Sequence, residues 1–276
     1  MEQLTANEMS YRIISELLEE RTGQQLSENR RWRIGTALSG LLRERGMSNV
    51  DQLVCLLSEP DEWRLPNQIV EALLNNETYF LRDRMVFDEL ERSVLPRIAR
   101  EREHVKRISI WSAGCSTGQE PLSLAMLFLR NPATWQGWHI DILGTDISQP
   151  AIDAARRGCY SQFEIQRGLG MTEMLQFFEE TPQGWQASPE LRKLVRFELH
   201  NIQDRPPDIA EFNLVLCRNV LLYFSAECRT RVFDRLASAI APGGWLMLGA
   251  GETIVGQTDR FKQAGDIVGL YRPTDA

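Results

Sequence analysis

From residue 106 onward, short apolar runs alternate with amphipathic stretches, and this alternation restricts the fold more than any other feature of the chain. The runs are RISIW at 107–111, DILGT at 141–145, VRFEL at 195–199, FNLVLC at 212–217, WLMLG at 245–249 and VGLYR at 268–272. Helix-like patterns lie between them at 119–129, 148–157 and 225–240. A strand followed by a helix followed by a strand implies a mostly parallel sheet with helices on both faces, so this part is predicted to be α/β and doubly wound.

The first ~90 residues have a different period, the 3.6-residue repeat of helices. Ile13, Ile14, Leu17 and Leu18 form one stripe, closed by Gly23, and Ile34, Leu38, Leu41 and Leu42 form a second, closed by Gly46. Leu53, Leu56 and Leu57 mark a short third helix that stops before Pro60. Leu65, Ile69, Ala72 and Leu73 carry a fourth, expected to run toward Asn76 and Phe80. Stripes of this kind pack into a small helical module. The charged stretch 97–106 reads as a helix end or linker between the two characters. Residues 160–194 break the alternation with a helical run, the turn signal TPQGW and then SPELRK, the pattern of a small inserted hairpin.

Bulk composition excludes several classes. A net charge of −7 on 276 residues, with a pI near 5.2, disfavours broad binding to a nucleic-acid backbone. No apolar run approaches the ~18 residues of a membrane span, and MEQLTANEMS lacks the pattern of a secretory signal. The five cysteines (Cys55, Cys115, Cys159, Cys217, Cys228) form no CxxC pair, and His104, His139 and His200 are isolated. Neither a disulfide framework nor a zinc site is expected, which suits a reduced cytoplasm and no metal.

The chemistry gathers at the ends of the expected strands. The first runs into Ser112-Ala-Gly-Cys-Ser-Thr-Gly-Gln-Glu120-Pro, where Gly114 and Gly118 permit a sharp turn close to a ligand. Such glycines serve any α/β first turn equally well. No P-loop Lys-Ser/Thr follows, and Glu120 would repel a pyrophosphate but suit a cationic amino group. Asp146, just after the second run, is placed to accept ribose hydroxyls or to cap the next helix, a task open to Ser148 as well. Two further segments, 75–83 (NNETYFLRD) and 217–224 (CRNVLLYF), are rich in amides, guanidinium and hydroxyl groups. Each alone reads equally as caps, turns and core.

In combination they point further. N-E-T-x-F-x-R-D, A-G-C-S-T-G-x-E-P, G-T-D-I-S and C-R-N-V-L-x-Y-F stand in the order found in the chemotaxis receptor methyltransferases, and the sequence resembles that CheR family from about residue 10 to 272. The resemblance implies a Rossmann-like S-adenosylmethionine-dependent methyltransferase fold. Its parts would be an N-terminal all-helical receptor-docking domain (1–88), a methyltransferase domain (89–276) and a β-subdomain inserted at about 160–194. It implies transfer of a methyl group from S-adenosylmethionine to glutamate carboxylates of chemoreceptors, with S-adenosylhomocysteine as product. Asn76, Thr78, Arg82, Gly114, Glu120, Asp146, Asn201, Ile202, Arg218, Asn219 and Val220 match cofactor positions of the family. Arg82 and Tyr223 match the pair facing the methyl group and the incoming carboxylate.

Departures from the family pattern are local. Leu81 replaces a frequent phenylalanine, and Gly249-Ala-Gly-Glu252 stands where Gly-His-Ser-Glu is common. The inserted hairpin around 181–188 is short, whereas members that tether to a receptor pentapeptide carry a longer loop. Arg30, Arg31, Arg33, Arg43 and Arg45 lie near the second helix of an otherwise acidic chain, either as a solvated face or as a docking surface for the acidic methylation region of a receptor. A monomer is expected. Two other readings remain at this stage: a non-catalytic module that binds S-adenosylmethionine, and a nucleic-acid base methyltransferase. The second conflicts with the charge and with the position of Asp204-Arg-Pro-Pro207, which precedes the fourth run.

Overall fold

The structure, a computed structural model, describes residues 6–26, 32–207, 212–264 and 269–274. Arg30, Arg31 and the first residue of the run at 268–272 lie outside them. The chain forms two compact units: one ends at Asn75 and also takes in Tyr223–Cys228, and the other holds Asn76–Leu222 and the chain from Arg229 onward. The division thus comes earlier than the break expected at 88/89, because Phe80, Leu81 and Phe87 are buried in the core of the larger unit.

The smaller unit contains α1 (Ala6–Thr22), α2 (Trp32–Glu44), α3 (Val50–Leu56) and α4 (Leu65–Leu73). The apolar stripes meet as their spacing requires, with Ile14, Ile34, Leu38, Leu53, Leu65 and Ile69 sealed from solvent. The Asn49 side chain caps α3 by accepting from the Gln52 amide at 3.0 Å. Helix α4 ends earlier than expected: its cap Leu74 turns extended (φ −60°, ψ 143°), and residues 74–79 form no helix. Residues 223–228 join this unit through a Gln24–Phe224 bridge and a bond from the Gln25 amide to the Tyr223 carbonyl at 2.7 Å.

In the larger unit, α5 (Arg84–Glu89) and α6 (Leu95–Arg102) lead into β1 (Arg107–Ala113), α7 (Gln119–Arg130), β2 (His139–Asp146) and α8 (Gln149–Arg157). The insert follows as β3 (Cys159–Tyr160), α9 (Gln162–Gln166), α10 (Met171–Phe177), β4 (Phe178–Thr181), β5 (Gly184–Ala187) and α11 (Pro189–Leu194). The chain then continues with β6 (Val195–Leu199), β7 (Phe212–Cys217), α12 (Ala226–Ala239, of which Ala226–Cys228 count with the smaller unit), β8 (Ile240–Leu248), β9 (Phe261–Gln263) and β10 (Leu270–Pro273).

The seven-stranded sheet runs β6-β2-β1-β7-β8-β10-β9, with β6, β2, β1, β7 and β8 parallel and β10 antiparallel to both its neighbours. Strand order reverses between β1 and β7, and ligands of doubly wound sheets bind outside the carboxyl ends of the strands at such a switch point. β1 is buried from Ile108 to Ala113, as a central strand covered on both faces must be. β8 starts at Ile240, earlier than the run at 245–249 suggested, and a register irregularity against Phe212–Leu214 separates Ile240 from Trp245. The insert is a separate antiparallel sheet, β3-β5-β4, whose β4–β5 hairpin turns through only Pro182 and Gln183.

Candidate functional site

The loop after β1 is built by left-handed backbone. Gly114 (φ 79°), Ser116 (φ 51°) and Gly118 (φ 94°) take it back across the strand end. The amides of Gly114 and Cys115 both donate to the Thr145 carbonyl at 2.8 Å, which anchors the loop to β2. The Ser116 amide donates to Asp146 Oδ2 at 2.8 Å and the Ser148 amide to Oδ1 at 2.9 Å, so one carboxylate joins the loops after β1 and β2. Burial pushes the Asp146 carboxyl above its ordinary range, against the opposing pull of the Ser148, Ser116 and Ile147 amides. The choice of helix cap left open by sequence falls to Ser148, whose hydroxyl accepts from the Ala151 amide. A carboxylate at the end of the second strand of a doubly wound sheet suits vicinal hydroxyls such as those of a ribose.

Asn76 packs onto the same loops. Its carbonyl accepts from the Ser116 hydroxyl at 2.7 Å and its Nδ2 donates to Ser148 Oγ at 3.4 Å. Thr78 is half-exposed between Asn76 and the Arg82 turn. Asn201 closes a turn after β6, accepting from the Gln203 amide through its side chain at 3.0 Å and from the Asp204 amide through its carbonyl at 2.8 Å. Ile202 beside it is buried.

Arg82 sits in a turn whose flanking residues, Leu81 (φ 50°) and Asp83 (φ 61°), are both left-handed. For a leucine that backbone is strained and persists only where neighbours enforce it. Three contacts enforce it here. The Leu81 amide donates to Ser123 Oγ at 2.9 Å, and Arg218 Nη2 donates to the Arg82 carbonyl at 2.8 Å and to Asp83 Oδ2 at 2.7 Å. The Arg82 guanidinium itself is half-buried, over the Tyr79 ring and 3.3 Å from the Glu77 carbonyl.

Arg218, expected to face the nucleoside, points inward instead. Its side chain is 1% exposed, and its Nη1 donates to Glu120 Oε2 at 2.8 Å. The other Glu120 oxygen accepts from Ser112 Oγ at 2.8 Å. The guanidinium is thereby committed to Glu120, Asp83 and the Arg82 carbonyl, which leaves its main chain for a ligand. Glu120 is likewise partly spent, although its side chain stays 14% exposed. Sequence reasoning missed Ser112, Ser123 and Asp83 as partners of this cluster. It also missed Glu252, which accepts the amides of Gly249, Asn219, Val220 and Leu221. The available signal was an acidic residue three positions after a glycine at a strand end.

Tyr223 belongs to the smaller unit, where its hydroxyl accepts from Asn75 Nδ2 at 2.6 Å. Cys115 and Cys217 are fully buried, and burial raises both thiols well above their ordinary range, away from nucleophilic use. Among the described residues, no helix is long and apolar enough to cross a membrane.

Comparison with known proteins gives a consistent result. The family model described as CheR methyltransferase, SAM binding domain, matches residues 76–268, a span that opens at the first residue of the larger unit. A chemotaxis protein methyltransferase of Vibrio parahaemolyticus is 32% identical over 95% of both chains. One from Pseudomonas putida is 32% identical over 89% of this chain and 90% of its own. Chemotaxis protein methyltransferase 1 of Pseudomonas aeruginosa is 31% identical over 94% of this chain and 95% of its own.

Proposed function

The chain belongs to the CheR methyltransferase family, and from that premise we propose that it esterifies glutamate side chains of chemoreceptors in the cytoplasm. It is an S-adenosylmethionine-dependent methyltransferase of chemotaxis. The observation that carries the substrate reading is Arg82, a half-buried guanidinium on a strained turn held by the buried Arg218. A planar guanidinium in a fixed place suits a carboxylate, which it can bind through two parallel hydrogen bonds.

S-adenosylmethionine, when bound, supplies a methyl group already made electrophilic by the sulfonium. A glutamate side chain is ionised at neutral pH, its ordinary pKa being about 4.3, so the protein need not remove a proton. What remains for the chain is positioning and exclusion of water. In this reading Asp146 accepts the ribose hydroxyls. Asn76, Thr78, Gly114, Glu120, Asn201, Ile202, Asn219 and Val220 line the donor, Arg218 contributes through its main chain, and Arg82 orients the acceptor carboxylate. The family resemblance gives the Tyr223 hydroxyl the same orienting task. Tyr223→Phe tests it separately, and an unchanged kcat would remove Tyr223 from the catalytic set.

Receptor docking is assigned to the basic face of α2. Arg43 is exposed and Arg33 half-exposed, while Arg45 is already engaged with Glu62 and Gln68 at 2.8 Å each. Docking therefore draws on Arg33 and Arg43 rather than Arg45. Arg30 and Arg31 lie outside the described residues. The two-residue β4–β5 turn is too short for the extended loop of pentapeptide-tethered members.

The deciding experiment incubates the protein with methyl-labelled S-adenosylmethionine and receptor cytoplasmic fragments. Base-labile label on receptor glutamates is the expected result. Label on nucleic acid, or binding of the donor without transfer to any fragment, would overturn the proposal.

A further inference from the structure

Glu252 lies in the loop after β8, and its two oxygens gather main-chain N–H groups from two loops. Oε2 accepts from the Gly249 and Asn219 amides at 2.8 Å each, and Oε1 accepts from Val220 at 2.9 Å and Leu221 at 2.8 Å. Hydrogen bonds to an ionised acceptor are about twice as strong as neutral ones. This carboxylate therefore ties the loop after β7 to the loop after β8.

The fit is close on both sides. A Cβ on Gly249 would lie 2.8 Å from Glu252 Oε2 and 2.9 Å from the Asn219 nitrogen. Asn219 adopts the left-handed conformation (φ 61°) that presents its amide to the carboxylate. On the far side, Val220 Cγ2 sits 2.4 Å from where a Cβ on Gly114 would stand. Glu252 thus sets Asn219 and Val220, and Val220 sets the distance to the glycine turn after β1.

We propose that Glu252 is a positioning residue for the methyl donor, acting through the main chain of residues 219–221. It does not touch the donor. This rests on the reading that Asn219 and Val220 line the donor site. The requirement is for an acceptor at both oxygens. Glutamine has the same shape but would turn an NH₂ group toward amide donors, leaving two of them without an acceptor.

The test uses the full chain carrying Glu252→Gln, with Gly249→Ala as a second variant that presses on the same carboxylate without removing it. Measured are the dissociation constant for S-adenosylhomocysteine by calorimetry, and KM for S-adenosylmethionine and kcat with a receptor fragment. Both constants are expected to rise at least about tenfold, the scale of one or more unsatisfied amides, while kcat changes far less. In Glu252→Ala, added formate or acetate is expected to restore part of the affinity by filling the vacated carboxylate position. Folded variants whose affinity matches wild type, or which lose kcat with KM unchanged, overturn the proposal, as does Glu252→Ala unresponsive to either anion. If Glu252→Gln does not fold, Gly249→Ala and the anion response decide the matter. A wild-type chain that failed to bind S-adenosylhomocysteine would instead sink the methyl-donor reading beneath it.

Discussion

Replacing Arg218 with methionine should loosen the Arg82 turn and destabilise the larger unit together. The arginine side chain is 1% exposed, and its loss strands Glu120, whose own side chain is only 14% exposed. Removing one partner of a buried pair costs about 3–5 kcal/mol. Asp83 is 36% exposed and well solvated, so its pairing adds no more than about 1 kcal/mol. The bond to the Arg82 carbonyl adds about 1 kcal/mol. With the partial exposure of Glu120 discounted, the loss comes to about 4 kcal/mol, or a melting shift of roughly 8–16 °C for a unit of this size. Leu81 and Asp83 would then relax from their left-handed backbone, and kcat should fall by roughly one to two orders of magnitude as Arg82 loses its placement. The assays are thermal and urea denaturation and receptor methylation. Arg218→Lys keeps the charge without the fork and should fall between the two. A double-mutant cycle with Glu120→Gln should be strongly non-additive. Additive effects, or a melting temperature within about 3 °C of wild type, would refute this account of the cluster.

Three further outcomes follow from particular contacts. Burial pushes the Glu173 carboxyl up, but Arg84, the Gly170 amide and Arg130 more than offset it, so its pKa lies below the ordinary 4.5. A depressed carboxyl stabilises the fold above that pH and loses this as the pH falls through its folded value. Glu173→Gln should therefore cost about 1–2 kcal/mol at pH 7, and the gap to wild type should close below pH 4.5; a gap independent of pH would contradict it. Gly168→Ala places a Cβ 1.9 Å from the Phe80 carbonyl oxygen at φ 109°, and should destabilise by about 3 kcal/mol or more in urea titration. Reversing Arg33 and Arg43 to glutamate should slow receptor methylation several-fold at low salt, with the deficit shrinking as salt rises and S-adenosylhomocysteine affinity unchanged; an equal rate in both proteins would remove α2 from docking.

The local sequence determined much of this molecule. Residues 107–111, 141–145, 195–199 and 212–217 carry apolar runs and appear as β1, β2, β6 and β7, with the edge strand β6 left partly exposed. The i, i+4 spacing of Ile14–Leu18 and Ile34–Leu38 likewise sufficed for α1, α2 and their shared core. Motif order singled out Gly114, Asp146 and Arg82 as candidates, and the structure places Gly114 in the turn after β1 and Asp146 at the end of β2. Tertiary structure decided what each group touches. The inward turn of Arg218, the exhaustion of Arg45 on Glu62 and Gln68, and three of the four amides on Glu252 join residues far apart in the chain. Sequence shows the charge of such a side chain, but its partners are fixed by burial, where an unpaired charge or amide is too costly to leave. The same cost decided that Arg218, which reads in sequence as a ligand contact, should hold the turn that presents Arg82.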